Sequence, residues 1–172
     1  VPRRVERGRG DSTVALLDRQ APVRVLVFSN RGGDAYLDLL EEIGSRLASV
    51  AVLYIAYNDP EQVARARSLR ARLGLERLVA VDRLGQGEYV QCVRWLAEAP
   101  YPLLISKTGP NTMLEAAYFG IPQLLLGSGL PGEAWVGGFV EEHGFGRGFD
   151  RMEALIATLR TWLAEPEQIA LL

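Results

Sequence analysis

Cysteine and histidine are nearly missing from this chain, and several chemistries leave with them. Cys92 and His143 each stand alone in 172 residues. A lone cysteine forms no internal disulfide, and one cysteine with one histidine builds no zinc site from those residue types. No apolar run approaches the roughly 20 residues of a membrane-spanning helix. The start is arginine-rich with no apolar segment behind it, so it does not read as a secretory signal peptide. No Asp-x-Asp cluster is present to hold a divalent metal. Lys and Arg number 19 against 21 Asp and Glu, a net charge of −2, so no global field draws nucleic acid or an anionic membrane.

What remains is enough for one domain: 48% of residues are apolar and 23% charged. Arg3, Arg4, Arg7 and Arg9, mixed with Gly8 and Gly10, read as a solvated extension. Residues 1–22 are therefore expected to be a linker or N-terminal extension, and 23–172 the domain. The chain begins Val1-Pro2 without an initiator Met, as a fragment, a processed product or an excised domain would.

Strand and helix patterns alternate along it. Arg24–Asn30 is a short apolar run closed by a turn, and Val50–Tyr57 is apolar throughout, as a strand covered on both faces should be. Between them, Asp34 is expected to cap a helix to about Arg46, with Leu37, Leu40, Ile43 and Leu47 on its buried face. Asn58-Asp59-Pro60 opens a second helix that stops at Gly74. Weaker strand patterns occur at 77–81 and 144–148, clear ones at 103–106 and 122–126. Helices are expected over 88–98, 110–119, 133–143 and 152–163. This order predicts an α/β fold, a Rossmann-like parallel sheet of about six strands with helices on both faces. Ligands of such sheets sit beyond the carboxyl ends of the strands.

The turn after the fourth strand carries the clearest chemistry. Gly109 permits a tight turn and Pro110 suits the first helical position. The amides of Asn111, Thr112 and Met113 would then face outward at a helix N-terminus, which favours an anion. Glu115, one turn deeper, has two oxygens that match a vicinal diol. A phosphate seat beside a diol acceptor describes a nucleotide. Spacing alone favours the plainer reading, with Thr112 as a helix cap and Glu115 as a solvated carboxylate.

Lys107-Thr-Gly-Pro-Asn-Thr-x-x-Glu-Ala-x-x-x-Gly-x-Pro122 resembles the signature of the monogalactosyldiacylglycerol synthase family. More distantly, it is similar to the peptidoglycan N-acetylglucosaminyltransferases of glycosyltransferase family 28. Both are inverting, metal-independent enzymes of the double-Rossmann (GT-B) type, whose C-terminal lobe binds a nucleotide diphosphate sugar, usually a UDP-sugar. The resemblance runs from about Leu103 to Gly146. It implies that Glu115 holds the ribose hydroxyls, that Gly109, Asn111 and Thr112 seat the diphosphate, and that Glu133 meets the donor sugar. Arg31, Gly32 and Gly33 match the glycine-rich turn that approaches the phosphates, and the base falls near Tyr57-Asn58 and Asp82–Leu84. At Gly132 the family usually has Gln, and at Val136 an Asn.

The resemblance further implies a UDP-sugar as substrate, no cofactor or metal, and an N-terminal acceptor-binding lobe in cis or trans that carries the general base. The acceptor would be a lipid or lipid-linked molecule. No nucleic acid is implied. The location would be cytoplasmic, with contact to the inner face of the membrane left open through the other lobe. A nucleotide-sugar hydrolase or epimerase lobe, and a non-catalytic donor-binding subunit of a split transferase, stay open as alternatives. His143, at a helix end, is expected to stabilise that terminus, while Cys92, Trp95, Trp135 and Trp162 read as packing.

Overall fold

A computed structural model describes residues 12–29, 33–44 and 49–171. Arg31 and Gly32 of the first glycine turn, Leu47, and the arginines of residues 1–11 lie outside the described residues. Strands and helices alternate as β1 (Val23–Phe28), α1 (Asp34–Gly44), β2 (Val50–Ile55), α2 (Pro60–Leu73), β3 (Leu78–Val81) and α3 (Gln86–Ala97). They continue as β4 (Tyr101–Lys107), α4 (Pro110–Tyr118), β5 (Gln123–Leu126), α5 (Trp135–Glu142), β6 (Gly146–Phe149) and α6 (Met152–Ala164).

Among the described residues, the five strand pairings are all parallel, in the order β3-β2-β1-β4-β5-β6. The fold is therefore the Rossmann-like α/β sheet that the alternating pattern predicts. Strand order reverses between β1 and β4, so their carboxyl ends flank the crevice where such sheets bind ligands. Register sets Phe28 beside Ser106 there, and Lys107 beside Leu126 of β5.

Alternation along β1 explains the two layers. Val23, Val25 and Val27 join a core with Leu39, Leu40 and Ile43 of α1, Val63 and Ala66 of α2, and Leu155 and Leu159 of α6. Leu26 points the other way, into a core with Val93, Trp95 and Leu96 of α3 and Ala116 of α4. A small third cluster, Met113, Leu125, Val136 and Val140, fastens α4 and α5 to β5. Ahead of β1 the chain is packed as well: Val14, Leu17 and Ala21 are buried, and Trp95 Nε1 donates to the Asp18 carbonyl at 2.8 Å.

Local signals hold in most places and fail in three. Asp59 caps α2 by accepting from Gln62 N at 3.1 Å, and Gly74 (φ +64°) ends it. Asp34, expected as a cap, is instead the first residue of α1, and its carboxylate pairs with Arg65 across on α2. The third helix starts at Gln86 rather than 88, because Gly87 is tolerated inside a first turn that Tyr89 N closes onto Gly85 O at 2.8 Å. The helix expected from Glu133 begins at Trp135, since Pro131–Glu133 forms a separate 3-10 turn.

Candidate functional site

β4 delivers the signature turn to the switch point. Its last residue, Lys107, is followed by Thr108, which is buried and bonds on both sides. Thr108 N donates to Leu126 O at 2.8 Å, and Thr108 Oγ1 accepts from Ser128 N at 3.0 Å. The loops after β4 and β5 are thereby tied together. Gly109 follows in extended backbone and stands before α4, with Pro110 in the first turn.

The bonds within α4 begin at Met113 N, which donates to Gly109 O at 3.0 Å. The expectation of three outward amides is corrected by that bond, because Met113 N is spent within the helix. Helix geometry leaves the amides of Asn111 and Thr112 without an intrahelical acceptor. Asn111 is exposed and Thr112 half-buried, so both positions reach solvent at the carboxyl edge of the sheet.

Glu115 is exposed one turn further on, where its Oε2 accepts from Tyr89 Oη of α3 at 2.9 Å. Burial first, then the neighbouring Glu115 carboxylate, pushes the Tyr89 phenol above its ordinary range, so it stays a donor to that acid. Sequence reasoning did not include Tyr89. Its only sequence signal was an aromatic residue in the first turn of a helix reaching the same edge.

Glu133 comes to the same strand end. Its two oxygens lie 3.1 and 3.3 Å from Lys107 Nζ, with both side chains partly buried. The Ser128 hydroxyl first, and then Lys107, hold the Glu133 carboxyl below the usual carboxylate range against an opposing effect of burial. Asn111, Thr112 and Glu115 thus lie on α4 and Gly109 just before it, while Glu133 pairs with Lys107, the last residue of β4. Gly33 (φ +58°) stands just before α1, at the far side of the turn after β1. Arg31 and Gly32 of that turn are outside the described residues.

The two turns expected near a base are joined to each other. Asp59 N donates to Asp82 Oδ1 at 2.7 Å, and Arg83 Nη2 bonds Asn58 Oδ1. Asn58 is at φ +60°, and the exposed Tyr57 ring lies 6.0 Å from Phe28.

Gly132 and Val136, the two positions where the signature resemblance breaks, behave differently. Val136 is fully buried against Met113, Leu125 and Val140, so it is a packing position in which an amide side chain would lack partners. Gly132 has open space where a Cβ would be, so a longer side chain fits there. Beyond them a cavity of about 390 Å³ opens between the 127–131 loop, α5 and the end of β6, and Thr108 and Ser128 line it together with Glu141 and Asp150.

His143 and Cys92 are placed as expected. His143 Nδ1 lies 2.9 Å from the Phe139 carbonyl at the end of α5, and the two rings stack at 4.1 Å. Cys92 is buried, which pushes its thiol up to about 12. Trp95 and Trp162 are buried, while Trp135 is half exposed and donates to the Gly132 carbonyl at 3.0 Å. Among the described residues, no helix is long and apolar enough to cross a membrane.

Comparison with protein-family models and with curated protein sequences gives no match. Comparison with solved structures gives the fold. A UDP-GlcNAc 2-epimerase from Neisseria meningitidis bound to UDP-GlcNAc superposes with a TM-score of 0.67 at 12% identity, over 90% of this chain and 39% of that one. The C-terminal domain of a glycosyl transferase group 1 family protein (LpcC) from Francisella tularensis gives 0.58 at 10% identity, over 94% and 92%. Glycosyltransferase VinC in complex with DTDP gives 0.58 at 21% identity, over 86% and 35%. The fold is that of one lobe of GT-B glycosyltransferases and of the epimerase. The chain spans well under half of the epimerase and of VinC, and nearly all of the C-terminal domain.

Proposed function

We propose that this chain is the donor-binding lobe of an inverting, metal-independent glycosyltransferase that takes its sugar from a UDP-sugar. One observation carries the reading: at the strand-order switch point, the free amides of α4, the Glu115 carboxylate and the Glu133 carboxylate share one strand end. In this reading, Gly109, Asn111 and Thr112 receive the diphosphate, with Arg31, Gly32 and Gly33 of the first turn approaching it. Glu115 accepts from the ribose diol, held in place by Tyr89, and Glu133 accepts from the sugar. The amides contribute by stabilising the charge that develops on the leaving diphosphate. The base that deprotonates the acceptor, a lipid or lipid-linked alcohol, belongs to a second lobe in cis or trans. The chain alone then binds donor and transfers nothing.

Calorimetric titration with UDP, three UDP-hexoses and other nucleoside diphosphates tests the reading. One-to-one binding of a uridine nucleotide supports it, and absence of binding to every nucleotide removes it. The fold shared with the epimerase favours one second reading, a lobe of a nucleotide-sugar epimerase or hydrolase. A two-lobed protein that releases UDP stoichiometrically without acceptor, or that interconverts UDP-hexoses, would select it over transfer.

A further inference from the structure

We propose that Lys107 is a positioning residue: its ammonium, set between the two oxygens of Glu133, aims that carboxylate at the hexose of a bound nucleotide sugar and does not itself take the diphosphate. The proposal rests on the nucleotide-sugar reading and adds to it a residue outside the assigned site.

Four observations support it. Glu133 ends a three-residue 3-10 turn that runs into α5, and the contacts its carboxylate makes come from outside that turn. Lys107 supplies contacts to both oxygens, at 3.1 and 3.3 Å, from the last residue of β4, a central strand paired with β1 on one side and β5 on the other. Ser128, on the loop after β5, helps hold the Glu133 carboxyl below its usual range, and it is itself fixed on two sides. Ser128 N donates to Thr108 Oγ1 at 3.0 Å, and Ser128 Oγ accepts from Leu130 N at 3.2 Å. The end of β4 therefore holds both the loop after β5, through Thr108 and Ser128, and the acid itself, through Lys107.

Composition supplies the last observation. Lys107 is the only lysine in the chain, and every other one of its 19 Lys and Arg residues is arginine. A compact ammonium meets both oxygens of one carboxylate from a single point, where a guanidinium fork would occupy them in its own plane. The diphosphate meanwhile has its donors one turn on, in the amides of Asn111 and Thr112. An acid held ionised and oriented is ready to accept from sugar hydroxyls, and charge-assisted bonds of that kind discriminate well between presence and absence of a hydroxyl.

The test compares affinities for UDP, UDP-glucose, UDP-galactose and UDP-N-acetylglucosamine in the parent and in Lys107→Met, Lys107→Arg, Glu133→Gln and the Lys107→Met/Glu133→Gln pair. The expected result is that Lys107→Met lowers the preference for the best UDP-hexose over UDP by about tenfold, while UDP affinity itself moves less than about threefold. Adding Lys107→Met to Glu133→Gln lowers the preference no further, and Lys107→Arg recovers part of it. Equal weakening of UDP and UDP-hexose by Lys107→Met overturns the proposal, because it marks a direct phosphate contact. Independent, additive losses in the pair overturn it as well. Should Lys107→Met fail to fold, Lys107→Arg carries the same comparison, and a preference left untouched by both Lys107→Arg and Glu133→Gln overturns it. A parent that binds UDP but prefers no hexose defeats this proposal alone, whereas a parent that binds no nucleotide defeats the donor-lobe reading with it.

Discussion

β1 and β2 pair over six residues each and bury every side chain except that of Phe28, whereas β5 and β6 pair over four, two of which in β6 are glycine. The first pair is held by apolar area on both faces. In the second, β5 buries Leu124 and Leu125 as fully, but β6 is held largely by backbone approach. A Cβ on Gly148 would stand 2.7 Å from the Gly137 Cα of α5, and one on Gly146 would stand 1.9 Å from the Gln123 carbonyl oxygen. Polar bonds complete it: Gly148 N to Glu141 Oε1 at 3.0 Å, and Gly127 N to Phe149 O at 2.7 Å. The candidate site lies where these two styles meet, at the end of β4. A packed half fixes the strand that delivers Lys107 and Thr108. The glycine-rich half lets loops approach closely and leaves amides open to a ligand. Segments with few apolar contacts also open at lower free energy, which suits a region that admits a substrate.

The sharpest way to break the contrast is Gly146→Ala. At φ +151° and with no room for a methyl, it should cost about 4 kcal/mol or more, read as a loss of the cooperative melt or a lowered midpoint. If it melts like the parent, backbone approach is not what holds β6. Leu53→Ala, fully buried on β2, should cost about 3 kcal/mol in denaturant unfolding while leaving nucleotide affinity unchanged. A loss of affinity as large as the loss of stability would mean that the halves are not separable.

Glu115→Ala should do the reverse, weakening UDP about tenfold, or roughly 1.4 kcal/mol, with little change in melting. Affinity equal to the parent's would remove the ribose assignment.

Cys92 tests the packed half by pH. Its thiol is raised to about 12 in the folded chain, against about 8.5 when unfolded. The unfolded chain sheds this proton first, so the contribution is complete below about pH 8.5 and falls as pH rises towards 12, by about 1.4 kcal/mol at pH 9.5. Cys92→Ala should flatten that slope, and a thiol reagent should leave the native chain unmodified. Rapid native labelling would show that α3 opens.

The strand and helix order was readable because each element carries its own period and its own stop. Pro60 and Gly74 bracket α2 as the sequence pattern predicts, and the apolar run at 50–55 is the two-sided strand it suggests. The misplaced features all depend on contacts across the fold. Asp34 leaves its capping position for Arg65, 31 residues away, and Glu133 leaves the expected helix for Lys107, 26 residues away. The Tyr89 bond to Glu115 also spans 26 residues. No local pattern encodes such pairs. The place of Asn111, Thr112 and Glu115 at the start of a helix was legible because a glycine-proline turn opening a helix is a local event, whereas the partners of Glu115 and Glu133 appear only in three dimensions.

Amide shift mapping on a nitrogen-15-labelled chain during titration with UDP tests the central claim most directly. The largest changes are expected at Gly109, Asn111, Thr112 and Glu115, smaller ones from Ser128 to Glu133, and none in the interior of β2. Saturating UDP that leaves the 109–115 segment unmoved, whatever shifts elsewhere, would contradict it.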